Sequence, residues 1–319
     1  MRHIELIDAK KIAAILDKHP NLVKSEVMNA LQMHYAKKIK QPPKQYIRRN
    51  QQVSIIDRII SMPVYVDGNP GIAGIKWIGS HPDNYSLGME RANALIILND
   101  PKTNAPMAIL DASQISTQRT FAMTLIGIDT LYPQVKTVAC LGMGKLGRLH
   151  AKMLPKLYPG ITKIYCFSQN ALFDDLLSEQ IVKCNSYQEA ISAADVVITT
   201  TSATRPYITF NDVIKSKLII NQSVMDFHKD VFTKASHVIV DDWDECFHAK
   251  SSFTDVVNEG LLKKEQTLEI GQIIFGKIPI NSGLIFFNPL GMAIEDIMVA
   301  HSIYRIALAN EQSSVFYVE

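Results

Sequence analysis

The sequence predicts an α/β protein in which a doubly wound parallel sheet is joined to an α+β region. From about residue 130 onward, strand-like and helix-like segments alternate, and the strands are apolar throughout, as in parallel strands buried on both faces. A glycine-rich turn, Gly142-Met143-Gly144-Lys145-Leu146-Gly147, stands directly between the first of these strands and a helix. Before residue 130, successive strands are separated by short turns, which favours a largely antiparallel sheet.

The first region is predicted to contain two helices followed by strands. Asp8 can cap a short first helix, and an amphipathic second helix is expected over 21–38. The last two strands flank a hairpin-type connection over 99–104. The predicted strands are 45–48, 55–66, 74–78, 95–98 and 107–110.

The second region begins with a connecting helix predicted over 113–131. The strands expected after it are 137–141, 163–167, 182–184, 196–200, 218–221, 237–241 and 284–287. Helices are expected over 146–158, after the strand 163–167, over 187–193 and over 293–309. The last of these helices could return the chain to the first region.

The glycine-rich turn has the spacing of a dinucleotide-binding site. Gly142 permits the tight turn, Gly144 lets the backbone approach a pyrophosphate, and Gly147 lets the helix pack on the strand. The following helix N-terminus offers free N–H groups to the phosphates. About 20 residues downstream, where an acid usually binds the adenosine ribose, stands Ser168. A serine admits NADP, yet no arginine follows for its 2′-phosphate, so NAD and NADP both remain open.

Composition argues against several other classes of protein. The 33 basic and 31 acidic residues leave a net charge of +2 with no basic run, so neither nucleic acid nor a membrane surface is an expected partner. Early charges exclude a signal peptide, and no apolar run reaches the about 18 residues of a membrane span. The four cysteines lack paired or metal-like spacing, which suits a reducing cytoplasm. The acidic cluster 241–245 with His248 is interpreted as a solvated helix start, and no metal is expected.

Three charged residues lie in apolar or strand-like surroundings: Lys76, Arg119 and Asp226. Asp226 follows a predicted parallel strand, and the carboxyl ends of such strands face the ligand crevice of an open sheet. Each residue also has an ordinary structural explanation. Lys76 and Arg119 could lie on a solvent face, and Asp226 could cap the next helix. Spacing alone does not join them into one site.

At these residues the sequence resembles the ornithine cyclodeaminase/μ-crystallin family over essentially its whole length. The shared marks are Met62-Pro63, Gly74-Ile75-Lys76, 94–100, Arg119-Thr120, the glycine-rich turn, Asp226, Leu268-Glu269-Ile270-Gly271 and 291–296. The resemblance implies a Rossmann domain over 126–289, inserted into a substrate-binding and dimerisation domain made of 1–125 and 290–319. It also implies a homodimer joined through that outer domain.

The resemblance also implies roles for matching residues. Lys76 and Asp226 would be catalytic, Lys76 polarising an imine or carbinolamine and Asp226 acting as general base. Arg48, Met62, Lys76 and Arg119 would contact substrate, the two arginines binding its carboxylates. The residues implied for the cofactor are Thr120, Gly142, Met143, Gly144, Lys145, Leu146, Gly147, Ser168, Thr200, Thr201, Ser202, Val224, Met225, Asn288 and Gly291.

Two departures from the family pattern bear on the substrate. Ornithine cyclodeaminases carry a glutamate two residues before the methionine of Met-Pro, and here that place is Ile60, which cannot neutralise the ornithine side-chain ammonium. The Pro-Gly-Lys that follows the family's aspartate is replaced by Phe227-His228-Lys229. The first departure makes ornithine a poor candidate, and the second leaves the cofactor contacts of that loop open.

The stretches 57–60, 76–80, 89–92, 96–101 and 288–296 are similar to a branch of the family that makes 2,3-diaminopropionate for siderophores. This likeness implies NAD(P)-dependent oxidation of N-(2-amino-2-carboxyethyl)-L-glutamate, followed by hydrolysis to 2-oxoglutarate and L-2,3-diaminopropionate. The alternatives within the family are ornithine cyclodeaminase, alanine dehydrogenase and ketimine reductase. An alternative of another class is a non-catalytic, nucleotide-dependent binding protein like μ-crystallin.

Overall fold

A computed structural model describes residues 2–47, 57–68, 71–170 and 172–318. The chain forms two compact units, Met1–Ala122 with Gly291–Glu319, and Met123–Leu290. Each unit contains one eight-stranded sheet among the described residues. The first boundary between the units falls inside a long helix that continues from one unit into the other.

The elements are numbered in chain order. The strands are β1 (Arg2–Ile7), β2 (Ile39–Lys40), β3 (Gln45–Ile47), β4 (Arg58–Val66), β5 (Ile72–Ser80), β6 (Ala92–Asn99), β7 (Pro106–Asp111), β8 (Thr137–Leu141), β9 (Lys163–Phe167), β10 (Ile181–Lys183), β11 (Val196–Thr199), β12 (Leu218–Asn221), β13 (His237–Val240), β14 (Thr267–Glu269), β15 (Ile285–Asn288) and β16 (Ser314–Val318). The helices are α1 (Ala9–Lys18), α2 (Leu22–Tyr35), α3 (Ser113–Leu131), α4 (Lys145–Leu157), α5 (Tyr187–Ser192), α6 (Phe210–Val213), α7 (Lys229–Lys234), α8 (Trp243–His248), α9 (Ser252–Asn258), α10 (Ile270–Ile274) and α11 (Ala293–Ala309).

The sheet of the first unit is antiparallel except between β1 and β7, in the order β16-β1-β7-β6-β5-β4-β2, with β3 also on β4. Alternate residues of β4, including Ile60 and Met62, are buried because α11 packs on β4, β5 and β6. The edge pair β1 and β16 was not expected from the sequence. These two strands pair across nearly the whole chain length, and β16 is mostly exposed, so no local apolar pattern marks them.

The sheet of the second unit is parallel throughout, in the order β10-β9-β8-β11-β12-β15-β13-β14. Its central strands β11, β12 and β15 are buried at every position, so both faces are covered. The strand order reverses at β8, which places a ligand crevice at the carboxyl ends of the neighbouring strands. The predicted doubly wound sheet is confirmed.

One predicted helix is wrong. After β9 the described chain forms only a short 3-10 turn, Asp174–Leu176. Side chains hold this segment in a non-helical path, because Arg148 of α4 donates to the Leu172 carbonyl (3.1 Å) and also pairs with Asp175. Lys183 pairs with Asp174 at 2.7 Å. In a helix, the Leu172 carbonyl would instead accept a hydrogen bond from a backbone N–H group.

All four cysteines are buried, and no disulfide joins them in the described part of the chain. Within the described ranges, no helix combines the length and the apolarity that a membrane crossing requires.

Candidate functional site

The glycine-rich turn joins β8 to α4 as the sequence predicts. Gly142 has φ +88°, and a Cβ there would lie 2.8 Å from the Thr200 carbonyl oxygen. A Cβ on Gly147 would lie 1.8 Å from the Gly142 oxygen, so helix and turn touch only because Gly147 has no side chain. A Cβ on Gly144, the N-cap of α4, would have no neighbouring atom within 4 Å. That open space at a helix N-terminus fits a pyrophosphate.

The other cofactor residues expected in the second unit lie at the carboxyl edge of its sheet. Thr200 ties β11 to the glycine turn, since its hydroxyl donates to the Gly142 oxygen at 2.8 Å. Asn288 ends β15 and is buried, with its side-chain oxygen accepting from Asn221 at 2.7 Å. The rest follow strand ends directly: Ser168 after β9, Thr201 and Ser202 after β11, and Val224 and Met225 after β12. Met143, Lys145 and Leu146 belong to the glycine turn and the start of α4.

The first unit contains a buried charged cluster centred on Lys76. This side chain is 1% exposed, which excludes the solvent-face interpretation. Its Nζ donates to Asp296 Oδ2 at 2.5 Å, and Ser116 Oγ lies at 3.4 Å. Asp296 Oδ1 also accepts from Arg119 Nε at 3.3 Å, while Arg119 Nη1 pairs with Glu295 Oε2 at 3.1 Å. β5, α3 and α11 therefore each supply a charge to one cluster.

A further cation, Lys44, belongs to this cluster. It is buried, its Nζ donates to the Gly291 carbonyl at 2.6 Å, and its charge acts on Lys76. Among the described residues, this cluster brings together the cations Lys44, Lys76 and Arg119 and the carboxylates of Glu295 and Asp296. Ammonium and guanidinium groups are the donors that bind carboxylates in proteins. The cluster is therefore suited to bind a carboxylate.

Burial and neighbouring charges shift the pKa values of Lys76 and Asp296. The pKa of Lys76 is lowered to about 8, chiefly by burial and also by the charges of Arg119 and Lys44, while Asp296 opposes the shift. Burial would raise the pKa of Asp296, but the charges of Arg119 and Lys76 outweigh burial and hold that pKa below its usual value. Asp296 is thus ionised near neutral pH, and Lys76 is an ammonium that gives up its proton readily.

Several other predicted residues of the first unit surround the cluster. Met62 pairs in register with Lys76, and Ile60 lies two residues away on the same buried face of β4. Thr120 of α3 donates to the Ser116 carbonyl. Gly291 has φ +89°, and a Cβ on it would lie 2.0 Å from Arg119 Nη1, so this glycine lets the guanidinium pack on the backbone. Arg48, predicted to bind substrate, lies outside the described residues.

Asp226 of the second unit is a fully buried carboxyl group. Its Oδ1 accepts hydrogen bonds from Thr201 Oγ1 (2.5 Å) and Tyr207 Oη (2.9 Å), whereas Oδ2 has no partner among the described residues. Burial raises its pKa, and the hydrogen bonds from Thr201, Tyr207 and Ser223 partly offset the rise. The N-cap of the next helix, α7, is His228, so Asp226 does not cap it.

In the part of the chain that the structure describes, no three or more His, Cys, Asp or Glu side chains are grouped to hold a metal ion. In the acidic cluster 241–245, Asp242 caps α8 by accepting from the Glu245 N–H at 2.7 Å. The cluster begins a helix as predicted, but the prediction of a solvated helix is wrong, because Asp241 and Glu245 are buried.

Comparison with known proteins adds to this geometry. The model of the ornithine cyclodeaminase/mu-crystallin family matches residues 13–311. The chain belongs to this family. It is 38% identical over 305 residues to N-((2S)-2-amino-2-carboxyethyl)-L-glutamate dehydrogenase of Staphylococcus aureus (strain NCTC 8325 / PS 47), covering 91% of each chain.

Solved structures share the fold. A Δ1-pyrroline-2-carboxylate reductase of Thermococcus litoralis, in complex with NADH and L-proline, matches with a TM-score of 0.85 and 21% identity over 98% of this chain and 99% of the other. An archaeal alanine dehydrogenase dimer with bound NAD matches with a TM-score of 0.85 and 21% identity over 100% of both chains. The α/β fold class expected from the sequence is confirmed.

Sequence reasoning missed four residues around Lys76 and Asp226: Lys44, Tyr207, and Glu295 and Asp296 as the partners of Lys76 and Arg119. The acidic pair had a detectable signal, since two acids open a helix that is otherwise almost entirely apolar. For Lys44 and Tyr207 the residue type alone carried no such signal.

The glycine turn makes a first prediction. Gly144→Ala meets open space, so thermal stability should stay within about 1 kcal/mol of the native protein, while NAD affinity should fall by about tenfold or more because the Cβ occupies the phosphate approach. Gly147→Ala should lose both stability and affinity through its clash with the Gly142 oxygen. Thermal melts and NAD titration measure both. Normal NAD binding by Gly144→Ala would exclude this turn as the pyrophosphate site.

The charged cluster makes a second prediction. Asp296→Asn removes the carboxylate that Lys76 and Arg119 share, and should destabilise the chain by about 3–5 kcal/mol in denaturant unfolding. The matched control is Asp174→Asn, which breaks an exposed pair with Lys183 and should cost under about 1 kcal/mol. Equal effects of the two substitutions would mean that the buried pair is not structurally important.

Proposed function

We propose that this chain is an NAD-dependent oxidoreductase that cleaves N-((2S)-2-amino-2-carboxyethyl)-L-glutamate to 2-oxoglutarate and L-2,3-diaminopropionate. The reaction oxidises the glutamate Cα–N bond to an imine, which water then hydrolyses. The 38% identity with the S. aureus dehydrogenase of that name over 91% of both chains supports this assignment.

The observation that carries the proposal is the buried cluster of Lys44, Lys76 and Arg119, which gathers three cationic donors in one place. The proposed substrate carries several carboxylates, and the cluster presents the ammonium groups of Lys44 and Lys76 and the guanidinium of Arg119. An arginine fork binds a carboxylate through two parallel hydrogen bonds, and a lysine binds it as a compact charge. We assign Lys44 and Arg119 to substrate carboxylate binding, and the assignment of Arg48 to the same task stays a prediction.

Ile60 supports a substrate without a side-chain ammonium near this position. Its side chain lies on the buried face of β4 that Met62 shares, and Met62 is the register partner of Lys76. A buried isoleucine offers no hydrogen bond or charge to an ammonium, and leaving that cation uncompensated is costly. Ornithine is therefore disfavoured as substrate.

The chemistry requires one group that accepts a proton and one that donates. A bound NAD+ would supply the oxidant for the glutamate Cα–N bond. Asp226 Oδ2 takes one proton from the water that attacks the imine carbon, and the Lys76 ammonium donates a proton to the departing amine nitrogen. As the C–N bond breaks, its electron pair goes to that nitrogen, which leaves as diaminopropionate. The hydroxyl O–H bond breaks at the same time, so that the C=O bond of 2-oxoglutarate forms and the hydroxyl proton returns to the Lys76 amine.

The glycine turn and the residues after β9, β11 and β12 would hold the cofactor. The open position at Gly144 and the N–H groups of α4 suit its pyrophosphate. We propose NAD rather than NADP, since two structures of the same fold hold NADH and NAD.

We propose that the protein is a homodimer joined through the open face of the first sheet. The face opposite α11 is apolar, and its large side chains are exposed, with Trp77 at 43% and Leu95 at 49% and paired in register. Ile75 and Ile97 are the adjacent register pair on the same face. Exposed apolar patches of this kind mark protein interfaces, and a second copy offers a self-complementary one. The similar archaeal alanine dehydrogenase is a dimer.

The proposed reaction makes a third prediction. Incubation with the substituted glutamate and NAD+ should yield NADH with equal amounts of 2-oxoglutarate and diaminopropionate, measured by absorbance and mass spectrometry. Asp226→Asn should bind NAD normally but lower kcat by at least about 100-fold, the usual contribution of a general base. Asp226 must be deprotonated and Lys76 must be protonated for the reaction. We therefore expect kcat/KM to fall at both low and high pH, with the fall at high pH centred near pH 8.

The same assay with ornithine, alanine and a cyclic imine with NADH separates the alternatives within the family. Faster turnover of one of these would replace the proposed substrate, and no turnover of any, with intact NAD binding, would favour a binding protein. Full activity of Asp226→Asn would remove Asp226 from the mechanism.

The open sheet face makes a fourth prediction. Trp77→Glu places a charge at its centre, so a protein that is dimeric in light scattering should become monomeric. The matched control is Leu172→Glu, at an 82% exposed leucine of the second unit, which should remain dimeric. A monomeric native protein, or a dimeric Trp77→Glu variant, would contradict the proposed interface.

A further inference from the structure

The hydrogen bonds around Asp226 are distributed unequally between its two oxygens. Oδ1 accepts from two hydroxyl groups, those of Thr201 (2.5 Å) and Tyr207 (2.9 Å). Oδ2 is buried and has no hydrogen-bond partner among the described residues. A buried polar atom left without a partner is costly, and such atoms concentrate at sites that bind a reactant.

Tyr207 is itself fixed by its neighbours. Its N–H donates to the Asp226 carbonyl at 2.9 Å, so the two residues are joined through backbone as well as side chain. The Tyr187 hydroxyl of α5 donates to the Tyr207 carbonyl at 3.0 Å, and the two rings pack edge to face with centroids 5.0 Å apart. The phenol is thereby held where its hydroxyl meets Oδ1.

The pKa values of this pair respond to groups on neighbouring segments. Tyr187 and Asp226 raise the pKa of Tyr207, and the hydroxyl groups of Thr201, Tyr207 and Ser223 lower the pKa of Asp226. Burial and the nearby carboxylate raise the pKa of Tyr207, so its hydroxyl keeps its proton and serves only as a donor. Thr201 is likewise a donor here, because a carboxylate oxygen accepts.

We propose that Tyr207 is a positioning residue for the Asp226 base, holding Oδ1 together with Thr201 so that Oδ2 is the atom that takes the proton. The inference rests on the proposed function, which makes Asp226 the base. A carboxylate free to rotate would offer either oxygen in many orientations, whereas two donors on one oxygen fix the plane of the group. The donors also stabilise the ionised form, which is the form that accepts a proton.

The test is Tyr207→Phe, which removes the hydroxyl and keeps the ring. We expect kcat to fall about tenfold, the effect of one charge-assisted hydrogen bond, with the KM for NAD unchanged. Because the lost donor stabilised the carboxylate, the pKa of Asp226 rises, and the acid limb of kcat/KM moves to higher pH. The control is Tyr187→Phe, which loses a bond to the Tyr207 carbonyl and none to Asp226, and should keep the native acid limb.

A merely structural Tyr207 would lower the melting temperature and the amount of active enzyme without moving the acid limb, and that result would overturn the proposal. The same shift in Tyr187→Phe would also overturn it. The Asp226→Asn variant separates the base role of Asp226 from the positioning role of Tyr207. If that variant keeps full activity, the base assignment fails; if it is inactive while Tyr207→Phe has the native pH profile, only the positioning role fails.

Discussion

The first unit depends on a salt bridge that is completely removed from water, between Lys76 of β5 and Asp296 of α11. A lysine buried in the centre of a sheet costs far more than it returns unless a carboxylate meets it at hydrogen-bond distance. This requirement explains why α11, which is otherwise apolar, begins with two acids and packs its first turn over β5. Arg119 then shares Asp296 and reaches Glu295, so α3 is held to the same point.

Burial shifts the pKa values of Lys76 and Asp226 in opposite directions. It lowers the pKa of the Lys76 ammonium and raises the pKa of the Asp226 carboxyl, because in both cases it penalises the charged form. Lys76 is paired with the carboxylate of Asp296, which favours its charged form, whereas Asp226 is held by neutral hydroxyl groups. Each unit therefore contains one buried ionisable group whose pKa is shifted by its own surroundings.

In the second unit, the parallel topology of the sheet brings distant segments of the chain to one edge. Every strand of its sheet runs in the same direction, so segments far apart in sequence, such as those after β8, β11 and β12, come to the same edge. The glycines of the turn serve this packing at two points, where β11 crosses close to Gly142 and where α4 meets the turn at Gly147. Of the three glycines in the turn, Gly144 is the one whose Cβ would meet open space, so packing within the fold does not by itself require a glycine there.

By itself the sequence determined the alternation of strands and helices in the second unit, the bounds of α3, β8, β9, β12 and α11, and the glycine turn, because these depend on local periodicity and spacing. It also pointed to Lys76, Arg119 and Asp226, since charges in apolar surroundings stand out. Only the tertiary structure decided that Lys76 is buried, that Asp296 and Lys44 join it, and that Tyr207 holds one oxygen of Asp226. Those facts rest on contacts between residues far apart along the chain, and a side chain's partner in such a contact leaves no trace in its own neighbourhood of sequence.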